Sequence, residues 1–166
     1  MVKPKHILIA LVVLIIGVFV AVRLFPSEEK KVKKHFALLS KCVSKASGEN
    51  PITTASKVQK LRTLLAENCS LKTHIPFFSG NFTGEEVSSL IAQSRLQFSK
   101  LSVKFYDLEI DFPEEGMATV TLTVNVAGKM TNGVLIDETH ELECVLKKIE
   151  DRWLFSECEV VQVLKR

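Results

Sequence analysis

ATVTLTVNV, residues 118–126, alternates apolar and polar side chains without a break. Ala118, Val120, Leu122, Val124 and Val126 fall on one face, and Thr119, Thr121, Thr123 and Asn125 on the other. Successive side chains of a strand point to opposite faces, so this period of two describes an antiparallel strand with one face buried. Val and Thr suit such a pleated, half-buried surface. A turn at Thr131-Asn132-Gly133 reverses the chain. The return strand puts His140, Leu142, Cys144 and Leu146 on one face and Glu141, Glu143 and Lys147 on the other. Glu150-Asp151 turns it again into a last strand over residues 153–164, and a strand over 103–112 precedes the first, ending at Pro113-Glu114-Glu115-Gly116. The expectation is a meander of four long strands.

Upstream the period changes from two to three and four. Val32, Phe36, Leu39, Val43 and Ala46 form one apolar stripe, predicting a helix over 28–47 opened by Ser27 and closed by Gly48. Asn50 caps and Pro51 starts a second helix, expected over 51–68, with Ala55, Val58, Leu61 and Leu65 inward. Residues 71–78 read as a short strand or extended segment, and Thr83-Gly84-Glu85-Glu86 as a capping box opening a third helix with Val87, Leu90, Ile91, Ser94 and Phe98 inward. Helices segregated from an antiparallel sheet mean an α+β domain.

The chain begins differently. ILIALVVLIIGVFVAV opens at Ile7, closes at Val22 and carries no charge. Counted to Phe25 with Arg23 snorkelling, the run is 19 residues, which at ~1.5 Å each span roughly the ~30 Å hydrocarbon core. Phe19-Val20-Ala21 is a poor signal-peptidase site, so an uncleaved single-span anchor over residues 1–26 is favoured over a cleaved signal peptide. Lys3 and Lys5 precede the run; Arg23, Lys30, Lys31, Lys33 and Lys34 follow it. That count favours a cytoplasmic C-terminal side. A short basic tail before an apolar run is nevertheless the ordinary export signal, and an extracytoplasmic domain is the expectation.

Residues 27–166 make one domain of ordinary size. Its charge is segregated: residues 27–104 hold 13 bases and 6 acids, residues 105–166 hold 6 bases and 13 acids. Lys30, Lys31, Lys33 and Lys34 are candidate contacts with anionic headgroups, each worth about 1 kcal/mol, against the plainer reading of a solvated face. With a neutral domain and Tyr106 and Trp153 its only Tyr and Trp, no nucleic-acid partner is expected.

The order of elements resembles the nuclear transport factor 2-like, or ketosteroid-isomerase-like, cone fold. The resemblance is carried by the paired helices over 28–68, the extended LKTHIPFF (71–78), the capped helix from Thr83, and the closing hairpin ELECVLKKIEDRWLFSECEVV (141–161) with its turn-then-aromatic EDRWL. It implies three helices packed on a strongly curved antiparallel sheet, a cystatin-like architecture. Enzymes of this family place an acid–base pair inside the cone, typically Asp with Tyr or His. The same cone occurs in an anchored assembly component of type IV secretion systems.

This chain departs from the enzymes. The inward positions Val120, Leu122, Val124, Leu142, Cys144, Leu146, Cys158 and Val160 include no group suited to proton transfer. His74, Tyr106 and His140 are candidates for polar residues at the cone mouth, against structural or surface roles. Asp107, Glu109 and Asp111 read as alternating on one solvated strand face rather than as a calcium loop. No cysteine or histidine spacing suggests zinc, and no cofactor is expected. Cys144 should lie opposite Cys158 in the last hairpin, where a disulfide and two small buried hydrophobes are the alternatives. The sequence therefore points to a membrane-anchored, non-enzymatic binding or assembly module. Its partners would be membrane lipid through the span and an unidentified protein or a small apolar ligand, with a homodimer through the sheet as a further arrangement. The alternative is an anchored isomerase- or hydrolase-like enzyme acting on a small molecule in the cone.

Overall fold

The alternating stretch forms the longest uninterrupted pairing of the sheet. In the computed structural model, which describes residues 27–73 and 78–164, it belongs to β4 (Met117–Met130). Every residue of β4 from Met117 to Lys129 has a partner on β5 (Leu135–Ile149), and β4 also pairs with β3 (Phe98–Glu114). β6 (Arg152–Leu164) continues the meander. The last hairpin turns at Glu150 and Asp151, both at positive φ (48° and 64°), between the partners Ile149 and Arg152. A two-residue turn with both φ values positive twists in the sense of the strands it joins.

Two shorter strands complete six, in the order β2-β1-β6-β5-β4-β3. Here the structure corrects the expectation of one short strand or extended segment over 71–78. The second helix, α2 (Pro51–Arg62), stops six residues early, and Leu65 starts β1 (Leu65–Lys72), which runs parallel to β6. β2 (Gly80–Thr83) then pairs antiparallel with β1 at the sheet edge. The sheet is therefore mixed rather than purely antiparallel. Phe155 N donates to Leu64 O at 2.9 Å, so backbone pairing with β6 has already begun where helical periodicity would have carried on. Leu65 packs against the core from a strand instead of a fourth helical turn.

α1 (Glu28–Val43) and α3 (Gly84–Leu96) complete the helices. α1 ends four residues before the expected 47, because Lys45 pairs with Leu101 in a β-bridge. α3 opens with the capping box: Thr83 Oγ1 accepts from Glu86 N, and Glu86 Oε2 accepts from Thr83 N. Gly84 follows the cap because a Cβ there would stand 2.6 Å from Ala66 O. Phe98, expected on α3, begins β3.

The chain divides into two units after Lys31. In the first, the described part is the opening turn of α1, where Lys31 pairs with Glu28 at 2.7 Å. In the second, Val32 and Phe36 of α1 join Val120, Leu122, Cys144, Leu146, Trp153 and Phe155 in the main core. Phe36 is 1% exposed and meets Phe105 and Phe155 edge-to-face, with centroids 5.4 and 5.0 Å apart. A smaller cluster joins Ala66, Cys69, Val87 and Leu154. Among the described residues no helix is long and apolar enough to cross a membrane; the 7–22 run, with Ile7 and Val22, lies outside them.

Candidate functional site

α1 and β3 are tied together at one end and part at the other. Ser40 Oγ donates to Val103 O (2.6 Å), Val103 N donates to Ser44 Oγ (3.0 Å), and Lys45 and Leu101 exchange backbone hydrogen bonds (2.8 and 2.9 Å). These bonds cover the outer edge of β3 as far as Val103. Beyond it the strand bulges: the register with β4 slips between Tyr106 and Glu109, and Asp107 takes φ 53°. A bulge bends its strand and re-aims the side chains around it. A cleft of about 470 Å³ results. Phe36, Ala37, Phe105 and Leu108 contribute its apolar lining, and Lys33, Ser40, Lys104 and Tyr106 its polar groups. Among the described residues no acidic one lines it.

Of the expected cone-mouth residues, Tyr106 borders this cleft and is 45% exposed. His140 does not join it. Tyr106 pairs with Thr123 and His140 with Val124, so the two belong to opposite faces of the sheet, two strands apart. His140 has its Nε2 3.2 Å from Glu138 Oε2. His74 lies outside the described residues. The bulge also corrects the acidic face: the displaced Asp107 breaks the expected alternation, leaving Glu109 and Asp111 paired with Thr121 and Thr119. Among the described residues no group of three or more His, Cys, Asp or Glu is placed to hold a metal. Of the four lysines after the apolar run, Lys33 lines the cleft; Lys30 and Lys34 are exposed and Lys31 is half-buried.

Sequence reading missed Ser40, Phe36 and Lys104 as neighbours, because the edge contact between helix and strand is non-local. It also missed a buried ion network. Arg95, placed on α3 with no inward role, is 2% exposed and pairs through Nη2 with Glu49, whose side chain is 3% exposed. Lys57 Nζ reaches Glu49 Oε2 at 2.5 Å, and Thr54 Oγ1 donates to Glu49 Oε1 at 2.9 Å. Burial opposes ionisation of Glu49, but the hydrogen bonds from Lys57, Thr54 and Arg95 outweigh it and bring its pKa down to about 2. This network ties the α1–α2 connection to α2 and α3 and lies outside the cleft.

Cys144 and Cys158 stand directly opposite each other on β5 and β6, as the hairpin arithmetic expects, with sulfurs 2.7 Å apart. Cys69 is buried on β1, its thiol donating to Ala66 O and Phe155 O at 3.4 Å each. Burial and the nearby Cys158 push its pKa up to about 11.

No family model and no curated protein matches this chain. Solved structures do. A hexachlorocyclohexane dehydrochlorinase, LinA-type3 from Novosphingobium barchaimii LL02, is similar at 9% identity and a TM-score of 0.65, over 83% of this chain and 89% of that one. A putative scytalone dehydratase from Novosphingobium aromaticivorans gives 16% and 0.65, over 83% and 85%. A protein of unknown function with a cystatin-like fold from Nostoc punctiforme gives 12% and 0.61, over 84% and 93%. Identities this low speak to the fold alone.

Proposed function

The chain has the nuclear transport factor 2-like cone fold, and from that premise we propose that it is a membrane-anchored, non-enzymatic module binding a small apolar ligand with an anionic end. The carrying observation is how the concave face is used. Val32, Phe36, Leu122, Leu146, Trp153 and Phe155 fill its core, and the acid–base pair on that face, His140 with Glu138 at 3.2 Å, is not among the described residues lining the cleft. The cleft between α1 and β3 is open, apolar in its body and cationic at Lys33 and Lys104. Burying apolar surface supplies affinity, about 25 cal/mol per Å², and the Lys104 ammonium orients the anionic end. The apolar run over 7–22 would hold the domain at the bilayer.

The dehydrochlorinase and dehydratase among the similar structures favour the second reading, an enzyme acting on a small molecule. That reading needs His74, Tyr106 or His140 to converge in one cavity with an acid; Tyr106 and His140 belong to opposite faces, and His140 stands 3.2 Å from Glu138.

The test takes membranes from cells producing the full chain. Alkaline carbonate should leave the protein in the pellet, and externally added protease should reach the domain before the inner membrane is breached. Mass analysis after mild extraction should find a stoichiometric apolar acid on the wild type and little on Lys104→Glu. A ligand-free protein, or one retained equally by Lys104→Glu, sinks the cleft assignment; release by carbonate sinks the anchor.

A further inference from the structure

We propose that Cys144 and Cys158 are a thiol pair built to be joined by exchange with a small disulfide, entered through Cys158. The two residues are direct cross-strand partners, and their sulfurs already touch at 2.7 Å. Closing the bond therefore asks for side-chain adjustment rather than movement of β5 against β6. The loop between them is the tight hairpin itself, held at Glu150 and Asp151.

The two sulfurs differ in access. Cys144 is 2% exposed, while Cys158 is half-buried. The hydrogen bond with Cys158, burial and the Glu143 carboxylate all hold the Cys144 thiol protonated, well above its ordinary value. Cys158 is thus the sulfur that meets solvent first. In the exchange, its thiolate attacks one sulfur of the small disulfide. A mixed disulfide forms, and the first half of the reagent leaves as a thiolate. Cys144 gives its proton to water and displaces the second half from Cys158. The net change is two protein thiols oxidised by two electrons and one small disulfide reduced to two thiols.

Glu143, Glu157 and Glu159 alternate with the two cysteines and so belong to the other face of the hairpin. Cys69 is the neighbouring competitor, but its thiol is occupied by two backbone carbonyls.

The experiment exposes the folded full chain, in neutral detergent, to cystamine. Acid quenching, denaturation and alkylation then count free thiols. Four should fall to two, with the mass lowered by two hydrogens and a peptide link joining Cys144 to Cys158. Cys144→Ser should retain a cysteamine adduct on Cys158. Four thiols persisting in the folded chain, or a link containing Cys42 or Cys69, would overturn the proposal. The wild-type peptide map decides this without the variant, should Cys144→Ser fail to fold.

Discussion

Glu49 has its side chain 3% exposed, and its three donors keep it ionised. Its folded pKa of about 2 lies below the ordinary 4.5, so its contribution to stability is present above pH 4.5 and lost as pH falls towards 2. The shift corresponds to roughly 3 kcal/mol. Glu49→Gln should lower the unfolding free energy by about 3 kcal/mol near neutrality, because Arg95 keeps a buried charge without its carboxylate. Denaturant titrations from pH 7 to 2 should show the gap between wild type and variant closing as acid protonates Glu49; a gap independent of pH would refute the assignment. Arg95 Nε and Nη1 are buried without a partner among the described residues. The double variant Arg95→Met/Glu49→Gln should therefore recover part of the loss, read as a coupling energy in a double-mutant cycle.

At the level of elements, the closing hairpin and the covered edge of β3 matter most. Glu150 and Asp151 hold positive φ without being glycine, a conformation costing a residue with a Cβ about 1–2 kcal/mol. Their exposed ion pairs, Asp151 with Lys148 and Glu150 with Arg152, contribute at most about 1 kcal/mol each. Replacing the two residues by Asn-Gly should raise stability by about 1 kcal/mol, seen as a higher urea midpoint at unchanged slope. Sheet edges invite pairing with other chains, and this fold covers one with Ser40, Ser44 and Lys45 while keeping the other edge strand, β2, to four residues. The bulge at Asp107 falls just past that cover, which is why the cleft opens there and not along all of α1.

For the whole molecule, the decision between a filled cone and a ligand-holding one rests on Phe36. It closes the concave face by meeting Phe105 and Phe155. Phe36→Ala should cost about 3–5 kcal/mol by the lost transfer energy and the cavity left behind. Calorimetry on the full chain in detergent should show it as a drop in Tm. A loss below about 1 kcal/mol would mean that the cone is less tightly filled than these contacts imply.

The sequence by itself determined the α+β class, the four long strands, the capping box at Thr83 and the opposition of Cys144 to Cys158. All of these follow from local signals: a period of two or of three to four, a cap, a turn whose position sets the register. Tertiary structure decided the rest. Residues 65–72 became a strand because β6 offered a backbone to pair with, and Arg95 went inside because Glu49 was there to meet it. The cleft exists because α1 is bonded to β3 only as far as Val103. Each of these outcomes depends on partners many residues away in the chain, and periodicity carries no information about a partner that only folding brings near.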